Sequence, residues 1–286
     1  MLTSPGRSAN ESTPRRLQCA EIWAGSERTA SLLELPGLLV WVYSIPAGPG
    51  DAGGDIHYVS VCPSCTVCRV ALADVSGHGQ AVRALAENVR ELMQRHLTAL
   101  EQAAFMRDLN REVQELDGVH YATMVALGWH GRRGLLELTN AGHPPPCLFR
   151  AAGGDWSWLN GHHPSEPGRV PVGAPLGLLA SVEYERRVVK PQEGDLVLLY
   201  SDGVSEATSA DGEELGRDGL MRMVRDLDPG SAEAFGVQLT TALRAFRGGR
   251  EAADDETILV LQRPAAERRL SPATQGGRHE QHEEEQ

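Results

Sequence analysis

The pattern that most limits how this chain can fold is the spacing of its short apolar runs. Runs rich in β-branched and aromatic residues come mostly in sequence-adjacent pairs: HYVSV and VCRVALA on either side of Pro63-Ser64, and YATMVALGW and LLELT on either side of HGRRG. LLVWVYSI follows the turn signal Pro36-Gly37 in the same style. Strands joined by links this short pair antiparallel. Helical patterns are grouped between the pairs. From Gln80 the apolar residues fall at Val82, Leu85, Ala86, Val89, Leu92, Met93, Leu97 and Leu100, and a second stripe covers residues 105–116. Spacing of three and four marks amphipathic helices with one buried face. Two more helical stretches are read at 219–227 and Ala232–Phe246, and further strands at 156–158, 183–189, Leu196–Tyr200 and 257–261. Such grouping favours antiparallel sheets covered by helices over a doubly wound parallel sheet.

With 286 residues and 41% hydrophobic content the chain can bury a substantial core. Residues 1–19 are rich in Ser, Pro, Arg and Asn and are expected to be a flexible segment. Residues 20–263 are expected to form the folded domain, and 264–286 a disordered polar tail. No apolar run is long enough to span a bilayer, and the first twenty residues lack the apolar segment of a secretory signal, so the expected location is cytoplasmic. A net charge of −12 without a basic stripe argues against nucleic acid and anionic membrane as partners.

Five cysteines are an odd number for a disulfide scaffold. The run CPSCTVC is open to two readings. Cys62, Cys65 and Cys68 could supply thiolates to a metal, with His57 as a fourth ligand, or Pro63-Ser64 could simply turn a hairpin. His162-His163 reads as a solvated loop, and His279-Glu-Gln-His282, one residue short of the zincin spacing, as charged tail.

The stretch ALADVSGHGQAV (71–82) looks at first like a site of its own. It lacks the third glycine of a dinucleotide fingerprint, since position 82 is Val, and it lacks the Gly-Lys-Ser/Thr of a phosphate loop. A nucleophile elbow needs glycine where Asp74 stands. The acid is what remains to be explained, and its setting recurs. Asp55 precedes IHYVSV, Asp74 follows VALA, Asp202 follows LVLLYS, and Asp254-Asp255 precede TILVL. Strand ends meet at a shared sheet edge, so these acids would form a negative site whose repulsion calls for cations. Carboxylates without thiolates suit magnesium or manganese, and two such ions about 4 Å apart suit phosphate ester hydrolysis. The dehalogenase-type route through an aspartyl nucleophile is closed, because Tyr200 stands where that nucleophile would be.

Taken together, GGD at 53–55, ADVSGHG at 73–79, NAGHPPP at 140–146, LLYSDGVSEA at 198–207 and DDET at 254–257 resemble, in order, the motifs of the SpoIIE-like bacterial branch of the metal-dependent protein phosphatase (PPM) superfamily. The likeness runs from about residue 20 to 262. It implies an α+β fold, a four-layer αββα sandwich of two antiparallel sheets flanked by helices, with a two-metal site at one end. It further implies a serine/threonine phosphatase using two Mn2+ or Mg2+ ions. Carried over by position, Asp55, Asp74, the Val75 backbone carbonyl, Asp202 and Asp254 would hold the metals. His78 would either donate a proton to the leaving oxygen or merely start a helix. The usual substrates of the branch are phosphorylated signalling proteins of the anti-anti-sigma (STAS) type in partner-switching circuits, and a homodimer is compatible with the pattern. Tyr58 departs from the branch, which often has a second Asp there. Sensor domains often precede this unit in the branch, so regulation here is expected from a partner, from expression, or from the helices after Gly79. A catalytically silent binding module and a small-molecule phosphohydrolase are the competing readings.

Overall fold

The strands Leu196–Tyr200 and Glu256–Gln262 are buried at every residue, including the polar Glu256, Thr257 and Gln262. A strand reads this way only when both faces of its sheet are covered, and the architecture shows what covers them. The computed structural model describes residues 13–47, 52–76, 80–96, 101–116, 120–159 and 173–265. Within them the strands are β1 (Arg15–Arg16), β2 (Ile22–Glu27), β3 (Thr29–Leu35), β4 (Leu38–Ile45), β5 (Ala52–Val61), β6 (Cys68–Val75), β7 (Ala122–His130), β8 (Leu135–Ala141), β9 (Cys147–Arg150), β10 (Asp155–Trp158), β11 (Arg187–Val189), β12 (Leu196–Tyr200) and β13 (Glu256–Gln262). The helices are α1 (Gln80–Arg95), α2 (Gln102–Leu116), α3 (Asp202–Ser205), α4 (Gly216–Arg225) and α5 (Ala232–Phe246). His78, His162, His163, His279 and His282 lie outside the described residues.

One sheet runs β1-β3-β4-β13-β12-β9-β10 and the other β11-β8-β7-β6-β5-β2. Every pairing is antiparallel except β1 with β3. Three apolar cores separate four layers. Val40, Val42, Val59, Val70, Leu72, Leu127, Leu199 and Leu259 meet between the sheets. Leu85, Val89, Leu92 and Met93 of α1 and Phe105, Leu109 and Val113 of α2 pack on the outer face of the six-stranded sheet. Leu220, Val224, Phe235, Leu239 and Leu243 of α4 and α5 pack on the outer face of the other. The fold is therefore the expected αββα sandwich.

Of the stripes predicted from spacing, Leu85, Ala86, Val89, Leu92 and Met93 of α1 and Phe105, Met106, Leu109 and Val113 of α2 are buried and Leu116 is exposed, while Val82, Leu97 and Leu100 lie outside the side chains described. Alternating residues of β6 fill two different cores, which is why VCRVALA reads as continuous apolar text. Gly236 of α5 lies against the indole of Trp41, where an added Cβ would come within 2.7 Å of Trp41 Cδ2 and closer still to its ring edge. Gly236→Ala is expected to destabilise by roughly 2–3 kcal/mol through overpacking. In a domain of this size that lowers the melting temperature by roughly 5–10 °C, measured by a thermal scan.

Order begins ahead of residue 20. β1 pairs with β3, Leu17 is buried in the inter-sheet core, and Cys19 is joined by a disulfide to Cys65. This is a single staple rather than a disulfide scaffold. The CPSCTVC run forms the turn between β5 and β6, with Cys62, Cys68 and Cys147 as buried free thiols. Among the described residues no helix is long and apolar enough to cross a membrane.

Candidate metal centre

β5 and β6 run side by side with Asp55 opposite Asp74 in the ladder. Opposed residues on adjacent antiparallel strands share a face. Val59 and Val61 on β5 and Val70 and Leu72 on β6 fill the inter-sheet core, so period-two alternation points both carboxylates into the end of that interface. The facing sheet delivers the other acids. β12 ends at Tyr200 and, after Ser201, Asp202 begins α3, while Asp254 and Asp255 immediately precede β13, which pairs with β12. Paired strand ends from the two sheets thus bring their acids to the same end of the sandwich.

Their proximity is felt electrostatically. Asp55 is 2% exposed; burial, and then the charge of Asp74, holds its carboxyl well above the usual aspartate range, with the Ser201 and Thr257 hydroxyls working the other way. Burial, followed by the charges of Asp202, Asp254, Asp255 and Glu206, raises Asp74 to about 7. Asp202 is raised by burial and by Asp254, opposed by the backbone N–H groups at the start of α3. These are acids gathered where they repel one another, a state that cations relieve.

Asp254 and Asp255 have different jobs. The Asp255 carboxylate turns inward: Oδ1 accepts from Ala47 N at 2.6 Å, and Oδ2 accepts from Gly54 N at 2.5 Å and from Asp55 N at 3.4 Å. A Cβ at Gly53 would come within 2.6 Å of that carboxylate or closer, which accounts for glycine at this point in Gly53-Gly54-Asp55. Asp255 is therefore a clamp that sets β5 against the opposite sheet. Asp254 accepts only the N–H of Asp255 in the described contacts and faces solvent. Gly203 is equally constrained, because a Cβ there would overlap the Asp255 carbonyl oxygen. Ser201 completes the junction: its hydroxyl donates to Asp255 O and accepts from Thr257 N, and Thr257 shares a hydrogen bond with Ser44. Behind it, the buried Arg247 of the α5 C-terminus pairs with Glu256.

Sequence reasoning attached no role to His143. Its imidazole is buried and shares a 2.8 Å hydrogen bond through Nδ1 with Thr123 Oγ1, and Thr123 stands opposite Asp74 on β7. Asn140 brackets the same residue, accepting from His143 N and donating to His143 O. Burial lowers this imidazole to about 3, against a smaller effect of the Tyr200 backbone, so it is neutral. The Asn-Ala-Gly-His spacing, with Gly142 at φ +71°, was the signal that could have found it. It braces the strand neighbouring Asp74.

A hard divalent ion fits this donor set. The ligands on offer are carboxylate oxygens, with the Val75 carbonyl beside them. Ala122, opposite Val75, gives its own N–H to Leu176. Asp55 Oδ2 is buried with no hydrogen-bond partner, which is an acceptor awaiting a cation. Among the described residues no group of three or more His, Cys, Asp or Glu side chains already forms a cage. The acids are gathered but open.

The two-sheet αββα sandwich is that of PP2C phosphatase domains: the PP2C domain of SpoIIE from Bacillus subtilis aligns with a TM-score of 0.62 and 15% identity over 86% of this chain and 64% of that chain. Within that class the SpoIIE family (Stage II sporulation protein E) matches residues 66–264, and the chain belongs to it. It is 24% identical over 198 residues to the phosphoserine phosphatase RsbP of Bacillus subtilis (strain 168), covering 67% of this chain and 45% of that protein. It is 24% identical over 248 residues to the phosphoserine phosphatase RsbU of the same organism, covering 85% of this chain and 69% of that one. Among solved structures, the RsbU and RsbW domains of Rv1364c from Mycobacterium tuberculosis align with a TM-score of 0.65 and 22% identity, over 81% of this chain and 62% of that chain. The chain thus spans less than two thirds of RsbP and of that structure.

Proposed function

We propose that this protein is a metal-dependent phosphatase that hydrolyses phosphoserine or phosphothreonine on a signalling protein. The observation that carries the reading is the convergence of Asp55 and Asp74 from one sheet with Asp202 and Asp254 from the other. The resemblance of the whole motif set and the names of RsbP and RsbU support the substrate class. Asp55, Asp74, the Val75 carbonyl, Asp202 and Asp254 would hold two Mn2+ or Mg2+ ions. When bound, those ions supply the positive charge that draws in a phosphate and makes water nucleophilic near neutral pH.

The chain's own residues do the positioning. The Asp255 clamp fixes the start of β5, and with it Asp55. The Ser201–Thr257 junction holds Asp202 beside the 254–255 turn. His143 braces the strand next to Asp74. Residues 20–263 would be the catalytic unit, with the described N-terminal residues from 13 packed against it. As the motif resemblance implies, the substrate would be a phosphorylated STAS-type protein in a partner-switching circuit, and the reaction would take place in the cytoplasm.

Purified protein is expected to release phosphate from a phosphoserine STAS-type protein in manganese or magnesium, and to lose that activity in EDTA and regain it when manganese is restored. Equal turnover with and without EDTA would sink the metal-dependent reading. Turnover of nucleotides but not phosphoproteins would favour a small-molecule enzyme, and no turnover with either a silent binding module.

A further inference from the structure

The end of the sandwich opposite the acids carries a second piece of chemistry. β5 and β6 lead from the Asp55–Asp74 pair to the Val61–Cys68 pair, six residue steps and roughly 20 Å away. There the turn gathers Cys62 and Cys65 with Cys19 of the N-terminal segment. Cys19 is exposed and Cys65 only partly buried, and their Cα atoms are 5.1 Å apart across the disulfide. Exposed disulfides are the exchangeable ones.

Cys65 has a second partner within reach. Cys65 N donates to Cys62 O at 2.9 Å, closing a four-residue turn through Pro63 and Ser64. Such a turn keeps its end Cα atoms within about 7 Å, while disulfides span about 4.4–6.8 Å. Cys62 is also set up as the attacking group. Its sulfur receives the N–H of Val67 at 3.2 Å and lies 3.2 Å from Ser64 Oγ and 3.6 Å from Thr66 Oγ1. Burial pushes this thiol up, but those hydrogen bonds outweigh it and bring it down to about 7. Burial pushes the neighbouring Cys68 the other way, to about 12, which leaves it inert.

We propose that Cys19, Cys62 and Cys65 form a thiol–disulfide exchange site in which Cys65 alternates between Cys19 and Cys62, fastening or freeing the N-terminal segment. The Cys62 thiolate attacks Cys65 Sγ; the Cys62–Cys65 bond forms as the Cys19–Cys65 bond breaks, and the electron pair leaves on the Cys19 thiolate, which takes a proton from water. No external oxidant is consumed. What is released is the short β1 strand and its connection, held otherwise by buried Leu17, by Ala20 N to Val61 O and Val61 N to Glu21 O, and by the Arg16–Glu34 ion pair. Ala20 and Cys65 both sit at positive φ, +63° and +53°, so the linked form holds two non-glycine residues in the left-handed region.

The test is disulfide mapping by mass spectrometry of the purified full chain equilibrated in glutathione buffers and then alkylated. The wild type is expected to show both Cys19–Cys65 and Cys62–Cys65 linkages. Cys62→Ser should retain only the first, and Cys19→Ser should form only the second in the same buffer. Trypsin should cut after Arg15 and Arg16 severalfold faster in Cys19→Ser than in the wild type, while Cys68→Ala keeps the wild-type linkages. The proposal is overturned if the wild type forms no linkage at any glutathione ratio, or if Cys62 and Cys65 stay free thiols in Cys19→Ser where the wild type is fully linked. One tightly held zinc per reduced chain, lost on Cys65→Ser, would also overturn it in favour of a metal site.

Discussion

Asp74→Asn is expected to cut phosphate release by at least about 10³-fold while making the metal-free protein more stable at pH 8. The first effect follows from position. Asp74 faces Asp55 across the β5–β6 ladder and is the acid on which the charges of Asp202, Asp254, Asp255 and Glu206 converge, so under the proposed function it is the carboxylate that two ions would share. The second follows from linkage. The ordinary aspartate value is 3.8, and burial with like charges raises it to about 7 in the fold. Between those values the native state binds the proton that the unfolded state has lost, so stability falls as pH rises through that window. The full span corresponds to about 4 kcal/mol at most, present as destabilisation at pH 8 in the absence of metal. Asparagine carries no charge and escapes it. Urea unfolding in EDTA at pH 5 and pH 8 reads the difference: the wild type should weaken more than the variant across that range. Retained activity would remove Asp74 from the metal centre, and identical pH dependence would remove it from the repelling cluster.

That opposition of activity and stability also marks where the sequence was readable. The strand pairs and helix stripes were legible because short apolar runs such as β12, buried on both faces, and period-3.6 burial such as that of α2 write themselves into residue order. The acids were legible because each follows or precedes such a run. Asp254 was preferred to Asp255 through the resemblance alone, since adjacent acids look alike until Gly53 lets one carboxylate reach the backbone of β5. β2 was missed because IWAGSE has little β-branched character and is a strand only through its pairing with β5, bulged between Gly25 and Glu27. The strand expected over 183–189 shrinks to Arg187–Val189, an edge strand with Arg187 and Val188 exposed. The Cys19–Cys65 link spans 46 residues, and no spacing rule picks one connectivity among five cysteines. His143 was hidden because its use lies in a hydrogen bond to a neighbouring strand, which leaves no periodic trace.

Gly203→Ala is expected to lower phosphatase efficiency by at least about 100-fold and to raise the manganese concentration for half-activation by about tenfold or more. A Cβ at Gly203 would overlap the Asp255 carbonyl oxygen and lie 3.1 Å from Asp255 C and 3.4 Å from Asp254 C. These are backbone atoms and cannot rotate out of the way. Either α3 must retreat, taking Asp202 with it, or the 254–255 turn must, taking Asp254 and the Asp255 clamp on Gly54. The hydrogen bonds joining Ser201 to Asp255 and Thr257 would stretch in both cases. Overpacking of this kind costs about 3 kcal/mol, and each weakened hydrogen bond about 1 kcal/mol more. Gly153→Ala is the matched control, since its added Cβ meets only Arg150 O at 4.0 Å. Manganese titrations of activity, paired with thermal scans at saturating manganese, separate the site from the fold. If Gly203→Ala keeps the metal dependence of the Gly153→Ala control, the α3 start and the 254–255 turn do not hold their acids as one unit, and Asp202 and Asp254 do not serve a common ion.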